Sequence, residues 1–180
     1  MRFLYRLQSR KEYIDKGLKL QFVETIGEVV LRHMKPHELH EVIAIETKSF
    51  PDPWGEMLFR TELGNPFSKN IVVHYRNNKK LLGYNLFWIM FNEVHILNLA
   101  VDPACRQRGL GKLLIKKAIS MGKNMGANKA TLEVRMSNHT AIYLYKKMGF
   151  KIMGERPRYY IRTNENAYIM VIPDLSAIKC

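Results

Sequence analysis

Cysteine is scarce: only Cys105 and Cys180 occur. One lies beside a glycine loop and the other is the last residue. They make no disulfide framework, and a reducing cytoplasm is the expected compartment. Long apolar runs are missing. No stretch approaches the length of about 18 residues that a membrane span needs, so no transmembrane helix and no membrane partner is expected. Residues 1–22 are basic but lack a continuous apolar core and a small-residue cleavage site, so they do not read as a signal peptide. Acidic residues are few: 16 Asp and Glu stand against 29 Lys and Arg, a net charge of +13. Such a chain attracts polyanions, among them RNA, ribosomes and acidic cofactors. A lysine-rich solvated surface gives the same number, and charge alone does not choose between them. No Lys/Arg block is long enough for a nucleic-acid tail, and no repeat or low-complexity segment is visible.

What is present is a chain of 180 residues, 47% apolar, enough for one domain with a real core. Residues 1–26 read as an N-terminal extension, partly helical, with a weak pattern through Phe3, Leu4, Leu7, Tyr13 and Ile14. Residues 27–175 form the domain, and 176–180 a tail. "EVVLRHM" (28–34) alternates like a strand. Pro36 opens a helix that runs to about Ser49, with Leu39, Val42, Ile43 and Glu46 at helical spacing. "FPDPW" (50–54) is a rigid turn, and residues 55–63 a short helix. "NIVVHYR" (70–76) and "LLGYNLFWIM" (81–90) form a hairpin, and "EVHILNLAV" (93–101) a third strand. An apolar stripe through Leu110, Leu114, Ala118, Met121 and Met125 predicts a helix. "KATLEVR" (129–135) is a strand. Residues 138–150 form a helix capped by Ser137 or Asn138 and ended by Gly149. Two further strands close the domain. The order is β-α-α-β-β-β-α-β-α-β-β, a mixed α/β sandwich with one strand–helix–strand crossover.

"CRQRGLGK" (105–112) sits between a strand and a helix start. Unpaired N–H groups at a helix N-terminus bind phosphate. Gly109 and Gly111 let the backbone approach an anion, and Arg106 and Arg108 add charge at the rim. A Walker A loop fails, because residue 106 is Arg and Lys112 precedes Leu113. A Rossmann fingerprint fails at Leu114. An ordinary glycine-assisted helix entry stays open.

Three other residues carry chemistry. Glu133 shares a strand face with Thr131 and Arg135, and reads either as a proton acceptor or as a salt-bridge partner of Arg135 or a lysine. His95 is expected on one face with Leu97, Leu99 and Val101, either as a satisfied half-buried residue or as a titrating group. Tyr145 lies on a helix face with Ala141, Leu144 and Met148, where it reads as a core aromatic. Tyr143 faces elsewhere. Asp52 reads as a carboxylate for an amine or basic residue, or as a helix cap. "HMKPHELH" has the wrong spacing for the zinc motif H-E-x-x-H, and no metal is expected.

The run "NLAVDP", "RQRGLG" and "LEVRMSNHTAIYLYKKMGF", in this order, resembles the GNAT superfamily of acetyl-CoA-dependent N-acetyltransferases over about residues 28–173. "FPDPW", "LEVRMSN" and "RYY" are similar to the protein N-terminal acetyltransferases, ribosomal-protein alanine and archaeal members above all. The resemblance implies a mostly antiparallel sheet with flanking helices, in which strands 93–101 and 129–135 are parallel and splay apart. It implies that acetyl-CoA lies along Leu99, Ala100 and Val101, with its pyrophosphate on residues Arg106, Gln107, Arg108, Gly109, Leu110, Gly111 and Lys112, and with Asn138 and Tyr145 further along. By the same likeness Glu133 is the general base, His95 shares an ordered water with it, and Tyr145 is the acid facing the sulfur. Asp52 and Trp54 face Tyr159 and Tyr160 across a peptide entrance.

The implied reaction is direct attack of an α-amine on the thioester. At neutral pH roughly a tenth of an α-amine is neutral, against well under about 0.1% of a lysine amine, so a modest base suffices. The implied partners are protein or nascent-peptide N-termini, with a salt-sensitive ribosome association. The alternatives are a small-molecule or lysine acetyltransferase of the same fold, and a non-catalytic RNA-binding protein.

Overall fold

The computed structural model describes residues 14–15, 18–23, 27–77 and 79–178. Strands β1 (Ile14–Asp15), β2 (Leu18–Val23) and β3 (Gly27–His33) open the described chain. The helical pattern expected at Phe3, Leu4, Leu7 and Tyr13 lies outside the described residues. Ile14 and residues 18–23 of that segment lie in strands paired onto the sheet.

A short 3-10 turn, Pro36–Glu38, leads into α1 (Leu39–Ser49), and α2 (Glu56–Gly64) follows the proline turn. Then come β4 (Ser68–Tyr75), β5 (Leu81–Met90) and β6 (Glu93–Val101). Helix α3 (Leu110–Asn124) crosses over to β7 (Lys129–Arg135). Helix α4 (His139–Lys147) and strands β8 (Lys151–Tyr160) and β9 (Glu165–Ile172) complete the domain. From residue 27 the order of elements is the expected one, and β5, β6 and β7 begin and end where their apolar runs do.

The sheet order is β1-β2-β3-β4-β5-β6-β7-β9-β8. Every pair is antiparallel except β6 with β7, which the α3 crossover makes parallel. Two cores pack on the two faces. One holds Phe87, Ile96, Leu114, Ile119, Leu132, Tyr145 and Phe150 beneath α3 and α4. The other holds Val42, Ile45, Phe59, Tyr84, Leu86 and Ala100 beneath α1 and α2. Helix α3 carries its apolar residues Leu110, Leu114, Ile115, Ala118 and Ile119 inward, as a 3.6-residue period requires.

Two features of the sheet create the site. Pairing of β6 with β7 runs from Glu93↔Lys129 to Ile96↔Leu132 and then stops. At that point β6 carries a bulge: Leu86 pairs with Asn98 and Phe87 with Ile96, which leaves Leu97 as the extra residue. A bulge bends its strand and shifts the side-chain alternation by one. This corrects the expected face of His95. Val94 and Ile96 enter the α3 core, as do Leu99 and Val101 beyond the bulge. His95 therefore shares its side of the sheet with Asn98 and Ala100, not with Leu99 and Val101.

Candidate active site

The strands part beyond Ile96 and Leu132, and a cleft opens between them. Leu97, Asn98 and Leu99 line one wall and Glu133, Val134 and Arg135 the other. Asn138, Leu144 and Tyr145 of α4 border it, and so do Glu46, Asp52, Trp54 and Tyr160.

The glycine loop stands at the head of α3. Asp102 Oδ1 accepts from Ala104 N at 2.9 Å and shapes the turn after β6. Gln107 and Gly109 adopt left-handed backbone angles, φ 60° and 84°. Gly109 is the N-cap of α3 and brings no side-chain cap. The first N–H groups of this helix are left for another acceptor, with the helix dipole behind them. The two glycines serve different needs. Gly109 supplies the positive φ. At Gly111 a Cβ would stand 3.0 Å from Leu144 Cδ2, so this glycine lets α3 and α4 pack closely.

Arg106 is not a free rim charge. Its Nε donates to Val101 O at 3.1 Å and a terminal nitrogen donates to Ser49 Oγ at 2.8 Å, which ties the loop to β6 and α1. Arg108 and Lys112 are exposed. Asn138 accepts from Ala141 N at 3.1 Å as the cap of α4 while lining the cleft. Cys105 is buried.

His95 and Glu133 touch directly: Nε2 lies 2.9 Å from Oε2, where a shared water was expected. The second carboxylate oxygen of Glu133 meets Arg156 of β8 at 3.0 Å. Among the described residues, the ion pairs of Glu133 are with His95 and Arg156, not with Arg135 or a lysine as expected. Burial pushes the Glu133 carboxyl up, but the His95 hydrogen bond and the charges of His95 and Arg156 outweigh it and hold the group below the usual range. The His95 ring stacks edge-on against Trp88, with centroids 6.1 Å apart. Tyr145 packs edge-on against Phe150, and burial pushes its phenol up to about 12. The hydroxyl therefore keeps its proton across the neutral range. Tyr143 is 62% exposed and lies beneath Lys147 instead.

Asp52 neither caps α2, whose N-cap is Gly55, nor stands free for a substrate amine. It pairs with Arg162 at 3.2 Å and lies 3.9 Å from Arg135. Arg135 is buried, meets Glu165 at 3.2 Å and lies 3.7 Å above the Tyr160 ring. The entrance loop and the β8–β9 hairpin are thereby pinned across the cleft. Tyr160 and Trp54 line the cleft, whereas Tyr159 is largely exposed and packs its ring on Tyr160. Among the described residues no group of His, Cys, Asp and Glu is arranged to hold a metal ion. His33, His37 and His40 are exposed, and His33 ends β3 and is not on a helix.

Glu46, expected only as one position of the α1 stripe, lines the cleft as well. It is 1% exposed. Its Oε1 accepts from Trp54 N at 2.8 Å and from Asn98 Nδ2 at 3.1 Å, and the Tyr84 hydroxyl donates to Oε2. Burial pushes its carboxyl above the usual range, and these neutral donors offset only part of the rise. A glutamate at an apolar position of an amphipathic helix was the only signal available.

The parallel strands part at a cleft that Tyr145 borders, and the chain belongs to the acetyltransferase (GNAT) family, whose model matches residues 39–150. It is an acetyltransferase. A Bacillus subtilis (strain 168) protein named "putative ribosomal protein bS18-alanine N-acetyltransferase" is 37% identical over 141 residues, which cover 78% of this chain and 92% of that one. The Escherichia coli (strain K12) ribosomal protein bS18-alanine N-acetyltransferase is 32% identical over 131 residues, 72% of this chain and 86% of that one. The crystal structure of the Escherichia coli ribosomal-protein-S18-alanine N-acetyltransferase superposes with a TM-score of 0.73 at 28% identity, covering 81% of this chain and 94% of the other.

Proposed function

We propose that this chain transfers the acetyl group of acetyl-CoA to the N-terminal α-amine of proteins. The observation that carries the reading is the direct His95–Glu133 contact, 2.9 Å, at the point where β6 and β7 part. Acetyl-CoA supplies the activated acyl group. The unpaired N–H groups at the start of α3 suit its pyrophosphate. Glu133 orients His95 through Nε2, so the pair accepts the amine proton as a unit. Tyr145, protonated and on the opposite border, holds the proton that a leaving sulfur needs. The Asp52–Arg162 and Arg135–Tyr160 contacts narrow the entrance to an extended terminus. The relatives named for acetylation of a ribosomal protein's alanine support the same substrate class.

A panel of short peptides varying the first two residues, assayed with acetyl-CoA, tests the reading. Acetylation at the α-amine is expected. Acetylation confined to lysine side chains or to small amines would overturn it in favour of another acceptor on the same fold. The net charge of +13 supports action at ribosomes in the cytoplasm. Co-sedimentation with ribosomes at low but not high salt is expected, and its absence at both would remove that part.

A further inference from the structure

We infer that Glu46 is a positioning residue that ties the peptide wall of the cleft to the strand beside the acetyl group. The inference rests on the acetyl-transfer reading above. Three separate segments converge on this one carboxylate. Trp54 N comes from the entrance loop, Asn98 Nδ2 from β6 and the Tyr84 hydroxyl from β5. Tyr84 Oη also lies 3.2 Å from Asn98 Oδ1, so the network closes on itself. A carboxylate has about four acceptor sites, and three are taken.

The bulge makes this meeting possible. Were Leu97 an ordinary strand residue, with no bulge, regular alternation after Ile96 would turn Asn98 toward α3, away from Glu46. The same bulge marks where β6 leaves β7. The brace therefore grips β6 two residues past its last pairing with β7, and its other end grips the loop that carries Asp52 and Trp54. No other carboxylate lining the cleft is arranged this way. Asp52 and Glu133 answer to Arg162 and to His95 and Arg156. All three donors on Glu46 are neutral, so its contribution is geometric. Loss of the acceptor would take their partner from Trp54 N and Asn98 Nδ2 and free the loop from the strand. A shift of about 1 Å in such a frame costs on the order of 100-fold in rate.

Two substitutions separate shape from charge. Glu46→Gln retains one oxygen for Trp54 N and Asn98 Nδ2, and its amide can donate to the Tyr84 oxygen. It should keep kcat/KM within about threefold of wild type. Glu46→Ala should raise the peptide KM and lower kcat by more than about tenfold each, with the Kd for acetyl-CoA within about twofold, because none of the groups that Glu46 holds belongs to the loop before α3. Hydrogen exchange at the Trp54 amide should accelerate in Glu46→Ala and stay slow in Glu46→Gln. Glu46→Gln as inactive as Glu46→Ala would assign a charge or proton role and overturn the inference. Wild-type constants in Glu46→Ala would overturn it as well. Where Glu46→Ala does not fold, Asn98→Ala cuts the β6 end alone. It should lower kcat more than about tenfold with the peptide KM retained, and an unchanged kcat would refute the brace. If wild type acetylates no peptide, the functional reading has failed, while exchange at Trp54 still decides the brace.

Discussion

Glu46 and Glu133 line the same cleft, and their carboxyls are driven in opposite directions. Burial raises both. Glu133 then meets an imidazole and a guanidinium, which favour its charged form. Glu46 meets an amide N–H, a side-chain amide and a phenol, which do not carry charge. Depth does not decide the outcome; the charge of the partners does. The two groups are thus suited to different work. On the proposed reading, Glu133 with His95 handles a proton in the cleft, and Glu46 is a frame.

The sharpest way to break this division is to neutralise Glu133. Glu133→Gln should lower kcat by about 10²–10⁴-fold, the range for a positioned acid–base group, in a steady-state assay with peptide. Tyr145→Phe should fall in the lower part of that range while retaining acetyl-CoA affinity by calorimetry, because its ring still packs on Phe150. Equal kcat in Glu133→Gln and wild type would erase the distinction between the two glutamates.

Stability against pH sharpens it further, because the signs differ. The folded carboxyl of Glu133 lies below the ordinary value of 4.5, so its stabilisation is present above 4.5 and is lost as pH falls through the folded value. Wild type should therefore exceed Glu133→Gln in Tm at neutral pH, and the gap should close in acid. The folded carboxyl of Glu46 lies above 4.5, so its contribution is full below 4.5 and is lost as pH rises through the folded value. Glu46→Gln should gain on wild type as pH rises across that window. Thermal melts of both variants across acid and neutral pH check the two slopes, and slopes of the same sign would refute the contrast.

The smallest effect is expected at Arg156, whose side chain is 52% exposed. Solvent screens such a pair, which is worth about 1 kcal/mol or less. Arg156→Ala should raise the Glu133 carboxyl toward the ordinary value and move the acid limb of the kcat–pH profile upward by less than about one unit. A downward shift would mean that Arg156 does not act on Glu133.

The apolar run "HILNLAV" alternates acceptably on either side of Leu97, so a single inserted residue leaves no mark, and the face of His95 was misread. Asp52 with Arg162, and Glu133 with Arg156, join positions far apart in the chain, and no spacing rule reaches across them. Glu46 sits on a helical stripe whose other members are apolar, and its burial follows from donors on three other segments. Residues 106–111 were legible because a helix start, its glycines and its basic neighbours are all local.

The sequence by itself determined the elements, because strand and helix periods are properties of short windows. It determined the glycine entry to α3. Tertiary structure decided which side chains meet. The bulge at Leu97 turned Asn98 toward Glu46, the end of β6–β7 pairing opened the cleft, and the β8–β9 hairpin brought Arg156 to Glu133. The reason is physical: a carboxylate's charge state depends on groups within a few ångströms, and the chain brings those groups together only when the sheet closes.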